Sequence, residues 1–162
     1  MNLTKTVLSS PVHFLAFGFG SGLSPKAPGT VGTLAAIPLY LLIFVHLSPL
    51  VYLLVLAAAT ALGIWLCDES SKRLGVHDHG GIVWDEFAGF WLTMWLAPAG
   101  WVWIVIGFLL FRLFDIWKPW PISWADRQVS GGLGIMLDDI IAGVYAWLVL
   151  QALAWLWLQY AA

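Results

Sequence analysis

Hydrophobic positions in this chain fall in long unbroken runs instead of alternating with polar ones. The runs cover residues 31–47, 50–67, 87–98, 101–114 and 140–158. A helix needs about 20 apolar residues to cross a bilayer, with a usual range of roughly 17–25. The first, second and fifth runs reach that length. The third and fourth are short, and either span with help from flanking residues or form a re-entrant pair. An earlier stretch, residues 12–23, is apolar but short and rich in glycine. It reads as an interfacial or re-entrant helix.

The polar positions then set the topology. The links at 48–49 and 99–100 carry no charge, nor does the chain after residue 158. With five passes, every Lys, Arg, Asp and Glu falls on one side of the membrane, which the positive-inside rule makes cytoplasmic. The expectation is an all-α, polytopic membrane helix bundle of about five passes, some short or re-entrant. Its N-terminus lies inside and its C-terminus outside, and residues 1–162 form a single domain.

Composition agrees with this pattern. The apolar fraction is 61% and charged residues make up 10%, where a soluble domain carries about 25% charge. Mean hydropathy is +0.88. The 12 Trp and 4 Tyr suit the aromatic belts of membrane interfaces. A net charge of -2 argues against nucleic acid as a partner. Cys67 is the single cysteine, so no internal disulfide framework exists. The first ten residues carry only Lys5, with no cleavage signal visible, and insertion through internal helices is expected.

Candidate chemistry sits where the charges gather. Asp85 and Glu86 precede one apolar run, Asp138 and Asp139 precede another, and Asp115 ends a third. Ionisable groups at membrane depth are costly. Helix capping accounts for one acid at a helix start. A second like charge beside it is unfavourable unless a cation joins them. Carboxylates converging from several helices form an oxygen-rich site of the kind Mg²⁺ or Mn²⁺ prefers. Arg112 and Asp115, three apart, share a helix face. They form a salt bridge, or Asp115 binds metal and leaves Arg112 for a phosphate oxygen. Lys118 and Arg127 add cations in the same cytoplasmic loop.

GFGSGLSPKAPGTVGT, residues 18–33, places glycines and Lys26 before a helix start near Thr30 and Thr33. That arrangement reads either as an anion-holding turn or as a capped surface turn. His77, Asp78 and His79 form either a polar turn or a source of a general acid. Cys67 and Arg73 match the C-x5-R spacing of cysteine phosphatases. Asp68, Glu69 and the lack of glycine between them give that loop the wrong sign for phosphate.

Four segments together resemble the phosphatidylglycerophosphatase A family of membrane lipid phosphatases. They are residues 18–33, VHDHGGIVWDEFAGFW at 76–91, FRLFDIWKPWPI at 111–122 and GGLGIMLDDIIAG at 131–143. The resemblance implies Mg²⁺-dependent hydrolysis of phosphatidylglycerophosphate to phosphatidylglycerol and inorganic phosphate in a bacterial cytoplasmic (inner) membrane. On that reading Glu86, Asp115 and Asp139, with Asp85 and Asp138, hold the metal. Arg112, Lys118, Arg127, Lys26 and the Gly29, Thr30 and Thr33 turn bind the monoester. His77, Asp78 or His79 protonates the leaving group. Oligomeric state is open. The alternative is a small transporter or channel subunit passing a cation by intramembrane carboxylates, which predicts acids on both leaflets.

Overall fold

The computed structural model describes residues 2–76 and 79–160. Among them the chain is helical, with no strand. In order come α1 (Leu3–Ser9), α2 (Pro11–Ala16), α3 (Pro28–Leu42), α4 (Pro49–Leu74), α5 (Trp84–Thr93), α6 (Trp101–Trp117), α7 (Ile122–Gln128) and α8 (Gly131–Tyr160). Pro28 and Pro49 open α3 and α4, where the missing N–H is harmless and the fixed φ suits a helix. Gly75 closes α4 in a left-handed conformation.

Three helices are long and apolar enough to cross a membrane: α3 with its 3₁₀ extension to His46, α4 and α8. Leu54, Leu62, Trp65, Leu109, Leu148 and Leu153 point outward, as a lipid-facing surface requires. At about 1.5 Å per residue, the 17 residues of α6 approach the thickness of a hydrocarbon core, and the 10 of α5 cover half of it.

Three expectations change here. The stretch 12–23 is not one helix: α2 stops at Ala16, and Gly18, Phe19 and Gly20 take left-handed conformations before a 3₁₀ turn at Ser21–Leu23. The run beginning at 87 is the buried centre of the bundle. Nearly every side chain of α5 is buried, against α3, α4, α6 and α8. The last run starts nine residues earlier than its apolar pattern, so Asp138 and Asp139 lie inside α8 and Asp138 caps nothing.

α5 is held by its aromatic rings. Phe87, Phe90 and Trp91 pack with Tyr40, Phe44 and Tyr52. Two of the polar tips are satisfied: Trp91 Nε1 donates to the Ala36 carbonyl at 3.1 Å and Tyr52 Oη to the Trp91 carbonyl at 2.6 Å. Trp84 Nε1 donates to the Ala59 carbonyl at 3.0 Å. A second cluster joins the N-terminal helices to α4 and α8 through Val7, Phe17, Leu66 and Met136. There His13 Nδ1 meets Ser70 Oγ at 2.8 Å. Burial first, and Arg73 second, lower the His13 pKa.

α8 reaches α4 at Gly132. A Cβ there would strike the Ile64 carbonyl oxygen and lie 2.6 Å from Asp68 Cβ. Two backbones in contact cannot relax by changing a rotamer. Gly132→Ala is therefore expected to destabilise the bundle by about 1–3 kcal/mol, read as a lower melting temperature in detergent. An unchanged melt would mean that α4 and α8 do not meet there.

Candidate active site

One end of the bundle gathers the ends of five elements around a cavity of about 300 Å³. α3 contributes Pro28 and Gly29, α5 Asp85 and Glu86, α6 Arg112 and Asp115, α7 Asp126, and α8 Asp138 and Asp139. Lys118 completes it from the turn after α6.

Each side chain is aimed by its helix. In α6, Arg112 and Asp115 share a face, and Arg112 Nη1 lies 2.6 Å from Asp115 Oδ2. The same nitrogen donates to Glu86 Oε2. Thr33 Oγ1 lies 2.9 Å from both Glu86 Oε2 and the Gly29 carbonyl. Glu86 and Asp115 are thus buried acids held by one guanidinium, and Arg112 Nε is buried with no hydrogen-bond partner among the described residues. Gly29 makes this approach possible. A Cβ on it would run into the Glu86 carboxylate and stand 3.2 Å from Arg112 Nη1.

Lys118 is the second cation of the cavity. Lys118 closes α6 in a left-handed conformation, and Pro119 follows it. Its Nζ donates to Asp126 Oδ1 at 2.6 Å and to Asp138 Oδ2 at 2.7 Å. Burial disfavours its charge, but the hydrogen bonds to Asp126 and Asp138 and their negative charges together outweigh burial and raise its pKa.

Between the cations lie three acids. One oxygen each of Asp115, Asp138 and Asp139 falls within 4.8 Å of the others. Asp138 Oδ1 and Asp139 Oδ2 are buried without a hydrogen-bond partner among the described residues. Like charges this close in a dry site repel unless a cation lies between them. An all-carboxylate donor set suits a hard divalent ion. On these observations the residues fit such an ion.

Several expected residues stand apart. Lys26 is exposed and does not line the cavity. Arg127 is exposed, and its Nε donates to the Ser123 carbonyl at 2.9 Å. His79 turns its ring onto Phe17, and its Nδ1 accepts from the Gly81 N–H at 3.0 Å. Thr30 is half-buried beside the cavity's Gly29 without lining it. His77 and Asp78 lie outside the described residues. Asp126 was missed. Its signal, an acid eight residues after Lys118 in a Trp- and Pro-rich loop, becomes meaningful only once α7 folds back.

Residues 14–154 match the family model for phosphatidylglycerophosphatase A. Phosphatidylglycerophosphatase A of Escherichia coli is 53% identical over 143 residues, covering 87% of this chain and 82% of that protein. This chain belongs to the phosphatidylglycerophosphatase A family. The family protein of Haemophilus influenzae is 45% identical over 152 residues, covering 93% of each chain. A putative phosphatidylinositol-3-phosphatase of Bacteroides thetaiotaomicron is 38% identical over 146 residues, covering 85% of this chain and 90% of its own. No solved structure matches. Every cavity residue named above falls inside the family match.

Proposed function

We propose that this chain hydrolyses the phosphomonoester of phosphatidylglycerophosphate to phosphatidylglycerol and inorganic phosphate. It does so with Mg²⁺, at the cytoplasmic face of a bacterial inner membrane. The observation that carries the reading is the three-acid cluster of Asp115, Asp138 and Asp139, flanked by Arg112 and Lys118 at one end of an apolar bundle. Two relatives named phosphatidylglycerophosphatase A support the substrate. Gathering of the charges at one end favours an enzyme that draws lipid from one leaflet over a cation path across both.

Asp115, Asp138 and Asp139 would hold the ion. When bound, it supplies Lewis-acid polarisation of a phosphoryl oxygen and acidifies a water. The chain's own residues supply the rest. Arg112 offers its unpartnered Nε–H to a phosphate oxygen, with Glu86 and Thr33 bracing it. Lys118 brings a mobile point charge from the turn after α6. Water adds to phosphorus, the bond from phosphorus to the glycerol oxygen breaks, and that oxygen takes a proton. Asp85, which lines the cavity outside the three-acid cluster, exchanges that proton.

Phosphate release in detergent micelles tests this. The panel is phosphatidylglycerophosphate, phosphatidic acid, phosphatidylinositol 3-phosphate and glycerol 3-phosphate, each with Mg²⁺ and with EDTA. Phosphatidylglycerophosphate should react fastest, and EDTA should stop the reaction. Equal release in EDTA would remove the metal from the account, and no release from any lipid would remove the function.

A further inference from the structure

The last two turns of α6 carry two opposed faces. Arg112 and Asp115 turn into the cavity. Leu113, Ile116 and Trp117 turn outward and are 52%, 69% and 68% exposed. The outward stripe does not end with the helix. Trp120, in the turn, is 77% exposed, and Trp124, on α7, is 50% exposed. Lys118 breaks the helix between them, and Trp117, Trp120 and Trp124 stand exposed on both sides of that break.

This stripe is the outer side of the cavity wall. Lys118 lies between Trp117 and Trp120 and reaches inward to Asp126 and Asp138. Asp126 follows Trp124 by two residues and lines the cavity. The turn is tied down where Tyr145 Oη donates to the Trp120 carbonyl at 3.2 Å. The indole N–H groups of Trp84, Trp91, Trp95 and Trp147 all donate to backbone carbonyls. No hydrogen bond among the described residues uses those of Trp117, Trp120 or Trp124. Three indoles with open N–H groups, with Lys118 between them and Asp126 and Arg127 just beyond, suit neither bulk water nor the bilayer centre. They suit the boundary at the lipid glycerol, where one end of the ring is apolar and the other wet.

We propose that Trp117, Trp120 and Trp124 form a dock for the glycerol and first acyl carbons of the phosphomonoester lipid, beside the Lys118 wall of the cavity. The proposal rests on the lipid-phosphatase reading above. The lipid's two chemistries match the two sides of this segment, with the phosphate on the cationic inner side and the tail on the aromatic outer side. Trp155 and Trp157 provide the contrast. They are equally exposed, at 60% and 61%, but lie near the far end of α8, roughly 24 Å along the helix from Asp139.

The test uses the full chain in mixed micelles, with the mole fraction of phosphatidylglycerophosphate varied. W117A/W120A/W124A should raise the interfacial KM by about tenfold with kcat changed less than about twofold, the signature of lost binding to ground and transition state alike. W120A, the most exposed position and the least able to disturb folding, should move KM in the same direction. W155A/W157A should leave both constants unchanged. An equal KM rise in W155A/W157A would reduce the effect to general anchoring and overturn the dock. So would a fall in kcat at unchanged KM. If the wild-type chain releases no phosphate from the lipid, the function fails first, a result distinct from either.

Discussion

Asp139→Asn is expected to lower kcat for lipid phosphate release by about a hundred- to a thousand-fold while leaving the fold intact. The side chain is 3% exposed, and its Oδ2 has no hydrogen-bond partner among the described residues. Asn preserves its size and one oxygen and removes its charge. The variant also carries a stability signature. With metal withheld, three acids crowd one site, and removing one relieves repulsion. In EDTA, Asp139→Asn should therefore melt above the wild type, and Mg²⁺ should no longer raise its melting temperature. Wild-type turnover with an unchanged Mg²⁺ requirement would show that the ion binds elsewhere.

Arg112→Met is expected to cost about 3–5 kcal/mol of stability and most of the activity, because it leaves two buried carboxylates without their shared cation. Side-chain exposure is 13% for Arg112, 11% for Glu86 and 12% for Asp115, so water can do little to screen them. Arg112→Lys keeps the charge but not the planar fork, and should recover part of the stability. Adding Glu86→Gln to Arg112→Met should restore stability further without restoring activity. Chemical denaturation of the two single variants and the double variant measures the coupling. Additive losses would mean that Arg112 and Glu86 do not act on one another.

These effects share an origin in how the bundle is wired. Of the cavity acids in ion pairs among the described residues, Asp115 alone lies within three residues of its cation, Arg112. Glu86 is 26 positions from Arg112, and Asp138 is 20 from Lys118. The charged site therefore also clamps α5 to α6 and α8 to the turn after α6. Removing Lys118 or Arg112 unbalances charges that several helices share. Exposed pairs such as Lys72 with Asp68 and Arg73 with Glu69 lie along α4 outside that clamp and contribute little.

Much was readable from residue order alone. Long apolar runs dictate helices in lipid, since backbone polar groups have no other partner there. On the five-pass reading every Lys, Arg, Asp and Glu falls on one side, which brings the chemistry to one end before any coordinates are known. Glu86, Arg112, Asp115, Asp138 and Asp139 could each be named that way, because charge beside apolar sequence is costly and demands a reason. Tertiary structure alone decided which way each turned. Neighbours on a helix point about 100° apart, so Asp85 lining the cavity and Glu86 buried under Arg112 follow from how α5 packs against its partners. The early start of α8, the burial of α5 and the return of Asp126 to Lys118 likewise depend on contacts between segments far apart in the chain, and local patterning carries no record of those contacts.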